Sequence, residues 1–173
     1  MIYPTLLLPT ERERIELPTS GHCVDLPKTF VVFDAWQGAQ PADRYRGKAL
    51  LDWGGSCTFA EIAILRIFQA AGWEGCWVDT FSRKYRVDYW GDDTVREIPV
   101  SKREILSAIQ KGADRRGGCF DVFCWQNDNV CFAEAKRRGH DKIRDSQRAW
   151  LEGALNNRLT PERFLIVEWN VRI

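Results

Sequence analysis

Gly118 to Gln147 reads GCFDVFCWQNDNVCFAEAKRRGHDKIRDSQ, and the fold turns on how this stretch is divided. Phe120 to Trp125 and Val130 to Ala135 are apolar runs rich in Phe, Val and small residues. Between them lies Gln126-Asn127-Asp128-Asn129, where Asn and Asp tolerate positive φ and bond their own backbone. Two such runs with such a spacer predict an antiparallel hairpin. With the turn centred between Asn127 and Asp128, Asp121 faces Glu134, Phe123 faces Phe132 and Trp125 faces Val130. Strand side chains alternate, so Asp121, Phe123, Trp125, Val130, Phe132, Glu134 and Lys136 share one face. Val122, Cys124, Cys131, Ala133 and Ala135 take the other. Both faces are apolar, so cover on both sides is expected. A one-residue shift of the turn would move Asp121 to the wrong face.

Two carboxylates and one amine therefore converge at one end of an apolar face. Opposed like charges are destabilising, and burying them costs more. A divalent cation resolves the conflict, since carboxylates are hard oxygen ligands suited to magnesium or manganese. An edge ion-pair network, with Lys136 neutralising one carboxylate, is the competing account. Asp141 to Asn156 carries Ile143, Gln147, Trp150, Leu151 and Ala154 at helical spacing, an apolar stripe broken by one amide. Gln147 is then either a satisfied buried amide or a fourth polar group aimed at the same place.

Asp121 followed by Glu134-Ala135-Lys136 resembles the Asp…(Asp/Glu)-x-Lys signature of the restriction-endonuclease-like PD-(D/E)xK nucleases. Asp141 to Leu151, DKIRDSQRAWL, is similar to the segment after Glu-x-Lys in their VRR-NUC (virus-type replication-repair nuclease) branch. That branch places a Gln, then Trp-Leu, on the helix behind the active site. The likeness covers the last third of the chain well and reaches back more loosely to Ser56. Phe120 departs from it, because the family often has Pro before the Asp.

The resemblance implies an α/β fold: a central mixed sheet flanked by helices over residues 54–173, with residues 1–53 as an N-terminal extension. It also implies a magnesium-dependent nuclease, with manganese able to substitute. Asp121 and Glu134 would be metal ligands, and Lys136 and Gln147 would be catalytic. DNA is the expected partner, with RNA left open. Small free-standing members act as dimers on branched DNA, and others serve as nuclease modules of repair proteins. A catalytically silent nucleic-acid-binding or scaffold protein is the alternative.

Gly54-Gly55 precedes Ser56 to Ala71, which reads as a helix ended by Gly72. Thr58 as N-cap would make Glu61 its capping-box partner. The resemblance implies instead that Glu61 is a further metal ligand, since related nucleases carry a Glu on the helix before the sheet. Basic residues flank the acidic pair: Arg115 and Arg116 before it, Arg137, Arg138, His140, Lys142 and Arg144 after it. Phosphate contacts come mainly from Arg and Lys, so these are candidate nucleic-acid contacts. Arg83, Lys84 and Arg86 would extend the patch. Gly117-Gly118 and Gly139 would let backbone approach a phosphate.

Elsewhere, Glu11 to Leu17 reads as a short helix capped by Thr10, within a Pro-punctuated arm. Strands are expected at Thr29 to Trp36, Lys48 to Trp53, Glu74 to Thr80, Ser82 to Trp90, Thr94 to Val100 and Phe164 to Trp169, with Gly91-Asp92-Asp93 as a turn. Ser101 is read as the N-cap of a helix over Lys102 to Lys111, with Glu104 completing a capping box. The 173 residues suit one domain, and a net charge of +1 leaves any nucleic-acid contact to local patches. The six Cys form no C-x-x-C pair and there are two His, so zinc is not expected. No signal peptide or membrane-spanning run is read, which makes a cytoplasmic protein with reduced thiols the expectation.

Overall fold

The computed structural model describes residues 3–42, 47–88, 94–113 and 117–172. Arg115, Arg116 and the Gly91-Asp92-Asp93 turn lie outside them. The elements run β1 (Glu11–Glu16), β2 (Cys23–Ala35), β3 (Leu51–Trp53), β4 (Ser56–Thr58), α1 (Ala60–Ala70), β5 (Glu74–Asp79) and β6 (Lys84–Arg86). They continue with α2 (Val100–Gly112), β7 (Val122–Gln126), β8 (Asn129–Arg137), α3 (Asp145–Asn156) and β9 (Phe164–Arg172). The protein is α/β. Among the described residues the nine strands form one mixed sheet in the order β4-β3-β2-β9-β8-β7-β5-β6, with β1 also on β2.

The hairpin β7–β8 has Phe123 opposite Phe132, Trp125 opposite Val130 and Gln126 opposite Asn129. Asn127 takes φ 52, a left-handed value that Asn accepts more readily than most residues. β5 flanks the hairpin antiparallel and β9 flanks it parallel. A parallel neighbour requires a crossover, which α3 supplies.

Both faces of the hairpin are covered. On one, Ala63, Ile64, Leu65 and Phe68 of α1 share a core with Val122, Cys124, Cys131, Ala133, Leu165 and Val167. On the other, Leu106 and Ile109 of α2 and Trp150, Leu151 and Ala154 of α3 meet Phe123, Phe132, Phe164 and Ile166. Phe132 stacks on Phe123 at 4.5 Å and on Phe164 at 5.5 Å, and Trp150 stands edge-on to it at 4.9 Å. This aromatic ladder pins the register of β7, β8 and β9 two residues short of Glu134.

Several expectations are corrected. Glu11 to Leu17 is not a helix: β1 pairs antiparallel with β2 from Glu11↔Lys28 to Glu16↔Cys23. Ile15 and Leu17 are buried among exposed charges, a period of two that outweighs local helix propensity. Residues 11–53 supply β1, β2 and β3 to the common sheet, and β2 lies parallel to β9 from Lys28↔Ile166 to Asp34↔Arg172. Ser56 to Thr58 is a strand paired with β3, so α1 begins at Ala60. Thr94 to Val100 contains one isolated bridge, Arg86↔Val95, and no strand, while β6 is shorter than read. α2 starts at Val100 after Pro99, so Ser101 lies inside it and caps nothing. α3 starts at Asp145, four residues later than read.

The β1–β2 turn is tied to α3 by a buried carboxylate. Glu152 accepts from the Thr19 and Ser20 N–H groups at 2.8 and 2.7 Å. Burial works to raise its pKa, but the bonds from Ser20 and Thr19 hold it below the ordinary value. Glu152→Ala strands both donors and should cost about 1–3 kcal/mol. Hydrogen exchange should then accelerate in β1 before the β7–β8 hairpin; uniform acceleration would contradict local tethering.

Candidate active site

β8, α1, α3 and the segment just before β7 line a cavity of about 1020 Å³. Glu61, Asp121, Glu134, Lys136 and Gln147 all line it, so the five sequence-read catalytic candidates stand together. They come from four places in the chain. Asp121 immediately precedes β7, and Glu134 and Lys136 lie on one face of β8. Glu61 lies in the first turn of α1, and Gln147 in the first turn of α3.

The groups are tightly joined. Asp121 N–H donates to Glu134 Oε2 at 3.2 Å, and Ala135 N–H donates to Asp121 Oδ2 at 3.1 Å. Glu134, 1% exposed, also accepts from Gln147 Nε2 at 2.5 Å and pairs with Lys136 Nζ at 2.7 Å, both through Oε1. Gln147 Oε1 in turn accepts from Lys136 Nζ at 3.1 Å and from Arg144 N–H at 3.0 Å. Gln147 therefore caps α3 and clamps Glu134 and Lys136 at once, a double duty that explains the polar break in the apolar stripe. Asp121 Oδ1 has no hydrogen-bond partner among the described residues.

Glu61 is not a capping partner of Thr58. The N-cap of α1 is Phe59, it makes no side-chain cap bond, and Thr58 Oγ1 is buried without a partner. The Glu61 carboxylate instead forms an ion pair with Lys48, a residue that the sequence reading did not single out. Lys48 lies just ahead of β3, and its Nζ stands 5.0 Å from the Phe59 ring centre and 5.7 Å from that of Trp77. No local pattern marks it. The available clue was indirect: three converging carboxylates need more positive charge than Lys136 alone.

The electrostatics are those of crowded negative charge. Burial, then Glu134 and Glu61, push the Asp121 carboxyl well above the ordinary carboxylate range. Burial alone would lower the Lys48 pKa, but Glu61, followed by Asp121 and Glu134, raises it above the usual lysine value. Among the described residues no three His, Cys, Asp or Glu side chains stand at metal-ligating spacing. By chemistry alone the donor set fits a hard divalent cation, since three carboxylates, Glu61, Asp121 and Glu134, face one cavity.

The basic candidates divide. Arg137, Lys142 and Arg144 line the cavity, as does His140. Arg138 does not; it lies 3.7 Å over the Phe30 ring and bonds Glu168 at 2.6 Å. Arg83 and Lys84 sit at the β5–β6 turn and do not line the cavity, although Thr80 of that turn does. Arg86 cannot extend the patch, because it is buried against Asp79 at 3.2 Å and Thr94 at 3.0 Å. All six Cys are free thiols.

Gly118 lines the cavity and is also packed tightly against α3. Its φ is 87, and a Cβ there would lie 2.1 Å from the Ser146 carbonyl oxygen. The irregular segment leading to Asp121 can thus pass directly against the start of α3. Gly118→Ala should cost about 2–4 kcal/mol through strain and backbone clash. A melting temperature unchanged from wild type would contradict this packing.

No protein-family model matches the chain, and no match is found among curated proteins. No described helix is long and apolar enough to cross a membrane.

Proposed function

We propose that the protein is a divalent-metal-dependent nuclease of restriction-endonuclease-like fold that hydrolyses phosphodiester bonds in DNA, selecting structure or ends rather than a long sequence. One observation carries the reading: Glu61, Asp121, Glu134, Lys136 and Gln147, drawn from α1, β8, α3 and the residue just before β7, line a single cavity with Arg137, Lys142 and Arg144. The sheet with its hairpin, α3 crossover and parallel β9 supports the same fold class.

Asp121 and Glu134 would hold the cation, with Glu61 as a further ligand, directly or through water. When bound, magnesium supplies Lewis acidity towards phosphate oxygens and acidifies water. The chain's own groups do the remaining work. Arg137, Lys142 and Arg144 draw the phosphate backbone to the cavity mouth. Lys136, 8% exposed and held by Gln147 at 3.1 Å, keeps a fixed ammonium beside Glu134. Its preorganised charge offsets the negative charge that develops on the phosphate oxygens. Gln147 keeps both Lys136 and the Glu134 carboxylate oriented, so its role is to position them.

The internal pairing of the cluster favours one rival. Lys48 on Glu61 and Lys136 on Glu134 already neutralise much of the site, as in a nucleic-acid-binding protein without turnover. The two readings separate on a labelled panel of single-strand, duplex, flap, splayed-arm and four-way-junction DNA, plus RNA. Wild type and Glu134→Gln are compared in EDTA, magnesium and manganese. Metal-dependent cleavage lost in Glu134→Gln supports the nuclease. Salt-sensitive binding without cleavage in either protein supports the binding module.

A further inference from the structure

Lys48 pairs with one of the carboxylates that line the cavity. Its ammonium pairs with Glu61 at the wall of the cavity that Asp121 and Glu134 also line. Aromatic faces of Phe59 and Trp77 back it at 5.0 and 5.7 Å, so the group is seated rather than trailing in solvent. Among the described residues no three carboxylates stand at ligating spacing. The backbone carrying Lys48 belongs to no helix or strand, and it follows Gly47, which is exposed at φ 82.

Resting on the nuclease reading above, we propose that Lys48 is a built-in counter-cation. It stabilises the metal-free cluster and leaves Glu61 when a divalent cation binds. The ammonium and the cation compete for the same negative charge, so Lys48 sets how much cation is needed to load the site. It is a positioning residue for Glu61. Once displaced it adds a positive charge to a cavity that Arg137 and Lys142 also line.

The test uses the full chain and Mn²⁺ as probe, with free ion followed by electron paramagnetic resonance. Wild type, Lys48→Met and Lys48→Arg are compared. Lys48→Met should bind Mn²⁺ on the order of ten-fold more tightly than wild type, because the competing charge is gone. It should also melt lower than wild type in EDTA. Lys48→Arg keeps the charge and should stay near wild type. Equal or weaker binding by Lys48→Met overturns the proposal. Binding by none of the three overturns the metal reading itself, a result distinct from the first.

A second measurement needs no variant to fold. Reductive methylation of wild type, read by mass spectrometry, should label Lys48 several-fold faster with saturating Mn²⁺ than in EDTA. An unchanged labelling rate in protein that binds Mn²⁺ overturns the displacement.

Discussion

Glu134→Ala is expected to be the most damaging single substitution for both stability and activity. The side chain is 2% exposed and serves three partners: Asp121 N–H, Gln147 Nε2 and Lys136 Nζ. Truncation leaves the Lys136 ammonium buried with its carboxylate gone. Breaking a buried pair from one side costs about 3–5 kcal/mol. At roughly 2–4 °C per kcal/mol for a chain of this size, the melting temperature should fall by around 10 °C. Glu134→Gln separates fold from chemistry, because an amide oxygen still accepts from Asp121 N–H. It fills the same space and should keep more of the stability than Glu134→Ala, although Lys136 still loses its counter-charge, and it should lose cleavage by roughly a thousand-fold, since a neutral amide is a poor ligand for a hard cation. Glu134→Gln with wild-type turnover would remove Glu134 from the chemistry.

Asp121→Asn should act in the opposite direction on the metal-free protein. Burial, Glu134 and Glu61 raise the Asp121 pKa in the fold well above its unfolded value. A group raised in this way supports folding fully at pH below the ordinary carboxylate range. That support is lost as pH climbs from there towards the raised value. Wild type in EDTA should therefore lose stability over this interval, while Asp121→Asn, which cannot ionise there, should lose less. Near neutral pH the variant should melt a few degrees higher than wild type, and the difference should close on acidification. Magnesium should reverse the order by stabilising wild type alone, by about 2.7 kcal/mol at a hundred times its dissociation constant. If Asp121→Asn is less stable than wild type in EDTA at all pH values, the carboxylate is a structural ion-pair partner and the metal reading fails.

Much of this geometry was legible in local sequence because a hairpin with a two-residue turn has little freedom. Once Asn127-Asp128 is accepted as the turn, Asp121 must meet Glu134, and the alternation must place Lys136 beside it. Gln147 was legible for a similar reason, as a polar residue on an otherwise apolar helical stripe. Glu61 was half legible. Its helix was evident, but Ser56-Cys57-Thr58 joins β3 instead of the helix, which removes the capping partner and leaves Glu61 to Lys48. Lys48 itself was not legible, because a lone lysine outside any periodic run is brought to the cavity by tertiary packing alone. β1 was misread because alternating Glu and Arg suit a helix locally. Pairing with β2 over six residues decides otherwise.

The position of β9 bears on how the chain can fold. It is the final strand in chain order, yet it lies between β8 and β2, parallel to both. Arg172 and Asp34, 138 positions apart, end up bonded across that seam at 2.7 Å. The two halves of the sheet therefore stay separate until residues 164–172 insert between them. During synthesis β2 and β8 each wait with an open edge, and open edges are templates for pairing with other chains. Shortening the protein to residues 54–173 would make that exposure permanent along β9. A truncated version is thus expected to be recovered as aggregate, even though it retains Glu61, Asp121, Glu134, Lys136 and Gln147.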